Sequence, residues 1–156
     1  MLQTDCSTQG EVNATLTLAQ ANKIIAKALE KAREMKIKPV SVVVLDDGGH
    51  LKAMQREDGA SMFRFDVATG KAWAAVAMGA SSRALAGRAK DNPNFFVTLA
   101  ATAHGKFLPQ TGGVLIRDAS GAIVGSAGAS GGTGDEDEAV CAYGIEQAGF
   151  TADAKP

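Results

Sequence analysis

The order of hydrophobic patterns in this 156-residue chain predicts an α+β domain, in which helices cover one antiparallel sheet. Three observations carry that reading. Helical periodicity opens the chain, fills its middle and closes it, and two β-rich hairpins lie between the helical stretches. Both hairpins turn on the same device, Asp46-x-x-Gly49 and Asp118-x-x-Gly121, with an Asp capping the turn and a Gly taking positive φ.

Thr17 to Met35 reads as an amphipathic helix. Ala21, Ile24, Ile25, Ala28, Leu29, Ala32 and Met35 recur at three- and four-residue spacing, Lys23, Lys27, Glu30 and Lys31 face away, and Thr17 with Gln20 supplies a capping box. Pro39 ends that helix, and "VSVVVL" from Val40 is β-branched enough for a strand buried on both faces. Leu51 to Arg56 returns as its partner. Phe63, Val67, Ala68, Ala72, Ala75, Val76 and Met78 then form a small-residue helix suited to close packing, with shorter helical pieces at Ser82 to Ala89 and Asn94 to Ala103. Lys106 to Pro109 is expected as a short fifth strand. A second hairpin follows, with one strand ending at Asp118 and the other running from Ala122 to about Ala127, and Gly134 to Ala148 reads as the last helix. Residues 1–15 are expected to be extended or disordered, 16–150 to form a single domain, and 151–156 to be a tail.

The length suits one domain, and 46% hydrophobic with 21% charged residues is the composition of a globular protein. A formal charge of -1 with no basic cluster gives no footing for nucleic acid or an acidic membrane. No window reaches the roughly 18 apolar residues of a membrane span. Without a leader pattern the chain reads as cytoplasmic as written; its polar start, "MLQTDCSTQGEVNA", would equally suit a periplasmic or secreted protein whose signal peptide had been removed. Cys6 and Cys141 lack metal-ligand spacing and read as two unpaired thiols. Eight of the eighteen glycines lie between Gly112 and Gly134, where the backbone must turn tightly or approach a neighbour or ligand closely.

Few side chains here could carry chemistry. His50 follows the first hairpin turn, where an imidazole can reach a neighbouring surface or solvent, and His104 ends a helical segment beside Gly105, where a cation at a helix C-terminus is already favourable. "SGGTGDEDE", Ser130 to Glu138, offers uncovered backbone N–H groups before the last helix, or simply a loop in which Thr133 or Asp135 caps that helix. It has neither a Walker lysine nor a dinucleotide fingerprint, and its consecutive carboxylates point in different directions, against a calcium loop. Lys71 lies among small residues, as a carboxylate-binding cation or as a lysine snorkelling from its helix. Met54, Met62, Phe63, Phe65, Phe95 and Phe96 would suit either a haem pocket with His50 or His104 as axial ligand, or an ordinary core.

With "LTLAQANKIIAKAL", "VSVVVLDDGGHLKAMQREDGA", "GKAWAA" and "GGVLIRDASGAIVGSAGASGGTGDEDEAV" in that order, the chain resembles the GlcG/HbpS family over about Leu16 to Gly149. That family includes haem-binding proteins, products of glycolate-utilisation operons and the C-terminal domain of PduO-type proteins. The resemblance implies a profilin-like α+β fold, with a five-stranded antiparallel sheet flanked by helices on both sides, and homo-oligomers from dimer to octamer. Asp46, Gly49 and His50 match the family's D-x-G-G-H-L turn, and Arg56, Asp58 and Gly59 its R-x-D-G. Lys71 matches the middle-helix K-A, and Ser130, Gly131 and Asp137 match S-G-G-T-x-x-x-D. His104 departs from the family pattern.

The leading functional expectation is a non-enzymatic haem binder with its site at the Gly-rich loop, shared between subunits, with His50 or His104 on the iron and Lys71 or Arg56 near the propionates. The rival is an enzyme acting on a small carboxylate or keto or hydroxy acid, held by Lys71 and the amides around Gly131, with His50 or Asp137 moving a proton. The third is an oligomeric scaffold without a ligand.

Overall fold

The computed structural model of the protein describes residues 16–156. The expectations for residues 1–15 and for Cys6 lie outside the described residues. The chain runs α1 (Leu18–Glu34), β1 (Ser41–Asp46), β2 (Leu51–Arg56), α2 (Phe63–Met78), α3 (Ser82–Asp91), α4 (Pro93–Thr102), β3 (Gly113–Arg117), β4 (Ile123–Ser130), α5 (Gly134–Gln147) and β5 (Thr151–Asp153). The expected α+β class and the two hairpins are both present. The hairpins join through their inner strands, giving one antiparallel sheet in the order β2-β1-β4-β3-β5.

Each boundary follows from local chemistry. Thr17 and Gln20 close the capping box that starts α1, and Thr133 with Glu136 closes a second one at α5, so Thr133 and not Asp135 is the cap. The two hairpin turns are the same object. At the first, Asp46 Oδ1 accepts the Gly48 and His50 N–H groups at 2.9 Å; at the second, Asp118 Oδ1 accepts those of Ser120 and Ala122 at 2.9 and 3.0 Å. Gly49 and Gly121, with φ of 78° and 86°, occupy the left-handed region that side chains avoid.

The fifth strand differs from expectation. Leu108 donates its N–H to the Gly70 carbonyl and Phe107 is buried beside Leu85 and Phe96, so this segment docks on α2 instead of joining the sheet. Thr151–Asp153, expected as tail, takes the free edge of β3, and Arg117 Nε donates to Asp153 Oδ2 at 2.8 Å across that pairing.

Helices flank both sides of the sheet. Val42, Val44, Val114 and Ile116 pack with Ile24, Ile25, Ala28 and Ile145 of α1 and α5, while Val43 and Leu45 pack on Ala68 and Ala72 of α2. The small residues of α2 let its backbone rest directly on the sheet. A β-carbon at Gly128 would stand 2.2 Å from the Ala68 carbonyl oxygen, and one at Gly113 2.3 Å from that of Lys71. Part of the glycine-rich stretch is thereby explained by close approach to a helix. Among the described residues no helix is long and apolar enough to cross a membrane.

Gly128→Ala therefore forces α2 off the sheet and should lower unfolding free energy by about 1–3 kcal/mol or more. Gly87→Ala, in exposed α3 with nothing within 4 Å of the added carbon, should raise it by about 0.5–1 kcal/mol. Chemical denaturation of the two variants checks the pair; equal effects would mean that α2 is not seated by contact with Gly128.

Candidate functional site

A cavity of about 280 Å³ opens between the first hairpin and α2. Phe65, Thr69 and Trp73 stand four residues apart on α2 and so line it as one stripe, and Leu45, Gly49 and Leu51 form the opposite wall. His104, Gly105 and Lys106 make its rim, with Asp66 also on the lining. Trp73 seats the hairpin closely: its Nε1 lies 3.2 Å from where a Gly49 side chain would begin.

The backbone at the rim is unusual. His104 has φ 53° and Gly105 φ 77°, two successive left-handed residues that end α4 while their N–H groups return to Ala101 and Ala100. Glycine is the ordinary occupant of such a position, and a side chain there costs on the order of 1 kcal/mol, a strain that gathers at functional sites. The bland reading of His104 as a charge at a helix terminus does not account for its place on a cavity wall.

His50 is placed differently. Its neighbours Gly49 and Leu51 line the cavity, but its own side chain is 83% exposed and folds back over the turn, with Nδ1 3.4 Å from Asp46 Oδ1. The second turn holds the same geometry without an imidazole, so the turn does not require His50.

Lys71 and Asp137 are only 6% and 1% exposed. Lys71 Nζ donates to Asp137 Oδ2 at 2.9 Å and to the Ala129 carbonyl at 3.1 Å, while Asp137 Oδ1 accepts the Gly132 N–H at 2.9 Å. The pair passes over Gly112, where a β-carbon would lie 2.8 Å from the ammonium, and it clasps α2 to α5 around the end of the sheet. Burial raises the Asp137 carboxyl above its usual range, opposed by the Lys71 charge and hydrogen bond and by the Gly132 N–H. Burial also pushes the nearby Cys141 thiol well up, which leaves it protonated and unreactive. Lys71, expected beside propionates or a carboxylate, is thus committed to Asp137.

The Gly-rich loop is committed as well. The N–H groups of Gly132, Thr133 and Glu136 go to Asp137, Glu136 and Thr133, so these three amides of the expected anion cradle already have protein acceptors. Buried Ser130 accepts from Arg64 Nη1 at 3.3 Å. Gly131 is needed for packing, since a β-carbon there would meet the Pro39 carbonyl at 2.5 Å. Arg56 donates to the Ala60 carbonyl and faces a separate cleft. Ser41 pairs with Ser130 and Asp46 with Gly125, so the Gly-rich loop and the His50 turn sit at opposite ends of β1, about 17 Å apart. One subunit does not unite the histidines with the Gly-rich loop.

The haem-pocket list from sequence shrinks accordingly. Phe65 lines the cavity, Met54 packs in the core beside it, Phe96 belongs to another cluster, and Met62 and Phe63 are 82% and 64% exposed. Asp66, Thr69, Trp73 and Lys106 were not singled out from sequence. The four-residue spacing of Phe65, Thr69 and Trp73 was the available signal, but which face of α2 it marks depends on the tertiary packing.

Residues 16–146 match the sequence pattern of the family described as "Haem degrading protein HbpS-like". An uncharacterised 15.0 kDa protein of the dhaT-dhaS intergenic region of Citrobacter freundii is 30% identical over 124 residues, 80% of this chain and 85% of that protein. A variant of Streptomyces reticuli HbpS superposes with a TM-score of 0.74 at 30% identity, covering 94% of this chain and 97% of that one. The PduOC:heme complex superposes with a TM-score of 0.77 at 24% identity, over 86% and 96% of the two chains, a likeness of fold.

Removing one member of the buried pair should be far worse than removing both. Lys71→Met or Asp137→Leu alone should cost about 3–5 kcal/mol, while the double variant should return to within about 1 kcal/mol of the parent. Urea unfolding of the three variants reads this directly, and a double variant as unstable as the singles would show that the pair acts through packing and not through charge.

Proposed function

The chain belongs to the HbpS-like family, and from that premise we propose that it binds haem in the cavity between the first hairpin and α2, with His104 as the iron ligand. The observation that carries this reading is His104, an exposed residue in left-handed backbone, on the lining of a cavity walled by Leu45, Leu51, Phe65 and Trp73. Imidazole in an apolar pocket is a common donor set for haem iron. At about 280 Å³ the cavity is at the small end of ligand pockets, roughly 300–1,000 Å³, so a macrocycle would be only partly enclosed. Leu51, a lining residue that is 55% exposed, supports assembly of the chain with further copies of itself over the open side of the cavity.

Haem, when bound, would supply an iron centre that accepts a nitrogen lone pair. The chain's own residues do the rest. His104 would offer that lone pair from a ring nitrogen. Lys106, two residues on, would offer the propionates a cation on the cavity lining. Leu45, Leu51, Phe65 and Trp73 would keep water from the macrocycle. The carboxylate-enzyme reading has no comparable support, because its Lys71 and Asp137 hold each other.

Haemin titration followed by absorbance should saturate at one equivalent per chain. Asn tolerates the left-handed backbone, so His104→Asn should keep the fold and weaken binding by about tenfold or more, whereas His50→Asn should leave the titration unchanged. Equal titrations for the parent and His104→Asn would rule out His104 as the ligand.

A further inference from the structure

At the other end of β1 lies a second cleft of about 410 Å³, between the end of α1 and the Gly-rich loop. Lys36, Lys38 and Arg64 line it, and a recess of about 200 Å³ lined by Lys38, Arg64 and Gly131 shares its wall. None of these three cations is in an ion pair among the described residues. The one carboxylate on the lining, Glu136, is engaged in the α5 capping box. The cleft therefore carries a net charge of about two positive units.

Two further features mark it as prepared for an anion. Arg64 is oriented by its single bond to Ser130, which leaves most of the guanidinium's five donors without a protein acceptor among the described residues. Lys36 keeps φ at 55° just beyond α1, where Gly or Asn would relieve the backbone. The Gly132 and Thr133 amides on the cleft's lining add little, because they donate to Asp137 and Glu136.

We propose that this cleft binds a small phosphate monoester, with Arg64 taking two phosphate oxygens and Lys36 and Lys38 closing on the dianion as point charges. A phosphate monoester carries about −1.5 to −2 at neutral pH, which matches the charge of the cleft, and the volume leaves room for a short organic remainder. The site is separate from the His104 cavity and does not depend on what fills it.

Calorimetric titration of the full chain at low ionic strength tests this, with inorganic phosphate, glycerol phosphate and malonate as probes. Phosphate and glycerol phosphate should saturate at one per chain. Lys38→Gln, an exposed change with no packing role, and Arg64→Gln should each weaken both by about tenfold or more, with the haemin titration unaltered. Absence of saturation up to the millimolar range, affinities untouched by both variants, or malonate binding as tightly as glycerol phosphate would each overturn the proposal.

Discussion

The constraint on which the rest of the molecule depends is the direct seating of α2 on the sheet. Carbonyl oxygens of Ala68 and Lys71 occupy the space that side chains at Gly128 and Gly113 would need. Such an approach is open only to a helix built largely from Ala and Gly on its inner face, resting on strands that carry glycine where the helix touches. It brings Lys71 close enough to the sheet's end to reach Asp137 of α5, so that one ion pair ties together the two helical layers. It also places Phe65, Thr69 and Trp73 against the first hairpin, and their contact with Gly49 and Leu51 forms the cavity.

From this seat follows a molecule with two chemically unlike ends. β1 and β4 run between them, and their register fixes Ser41 and Ser130 at one end and Asp46 and Gly125 at the other. Toward Asp46 lies the cavity walled by Leu45, Leu51, Phe65 and Trp73, with His104 in left-handed backbone on its lining. Toward Ser41 the surroundings are cationic, with a strained lysine and an arginine held by a single hydroxyl. Both strained residues, His104 and Lys36, lie just past the ends of helices, where glycine would relieve the backbone at no loss of packing.

Features governed by local chemistry were legible in the sequence. The capping boxes at Thr17 and Thr133, the twin Asp-x-x-Gly turns and the small-residue face of α2 each depend on residues a few positions apart. The edge of the sheet was not. Thr151–Asp153 is too short to show a strand pattern and is fixed only by β3 and the Arg117–Asp153 bond, whereas the more apolar segment at Phe107 found its burial on α2. The site was legible in parts. His104 was visible as a departure from its family, but the commitments of Lys71, Asp137 and the Gly-rich amides depend on contacts 58 and 66 positions apart for the lysine alone, and no spacing in the chain reveals them. Lys71 and Asp137, shared with the family, mark the packing of α2 and α5, while the cavity draws Phe65, Thr69 and Trp73 from α2 and His104 to Lys106 from the loop after α4, and the cleft draws Lys36 and Lys38 from the loop after α1 and Arg64 from α2.

The central claim is that haem is held at the His104 end of the sheet and nowhere else on the subunit. Ferric haem broadens the amide resonances of residues near its iron, so a two-dimensional nuclear magnetic resonance spectrum of the labelled protein, with and without one equivalent of haemin, locates it. The amides of Gly49, Leu51, Trp73 and Gly105 should broaden, while those of Gly131 to Thr133, about 17 Å away along β1, should stay sharp. Broadening centred on Gly131 to Thr133 would contradict haem binding at His104.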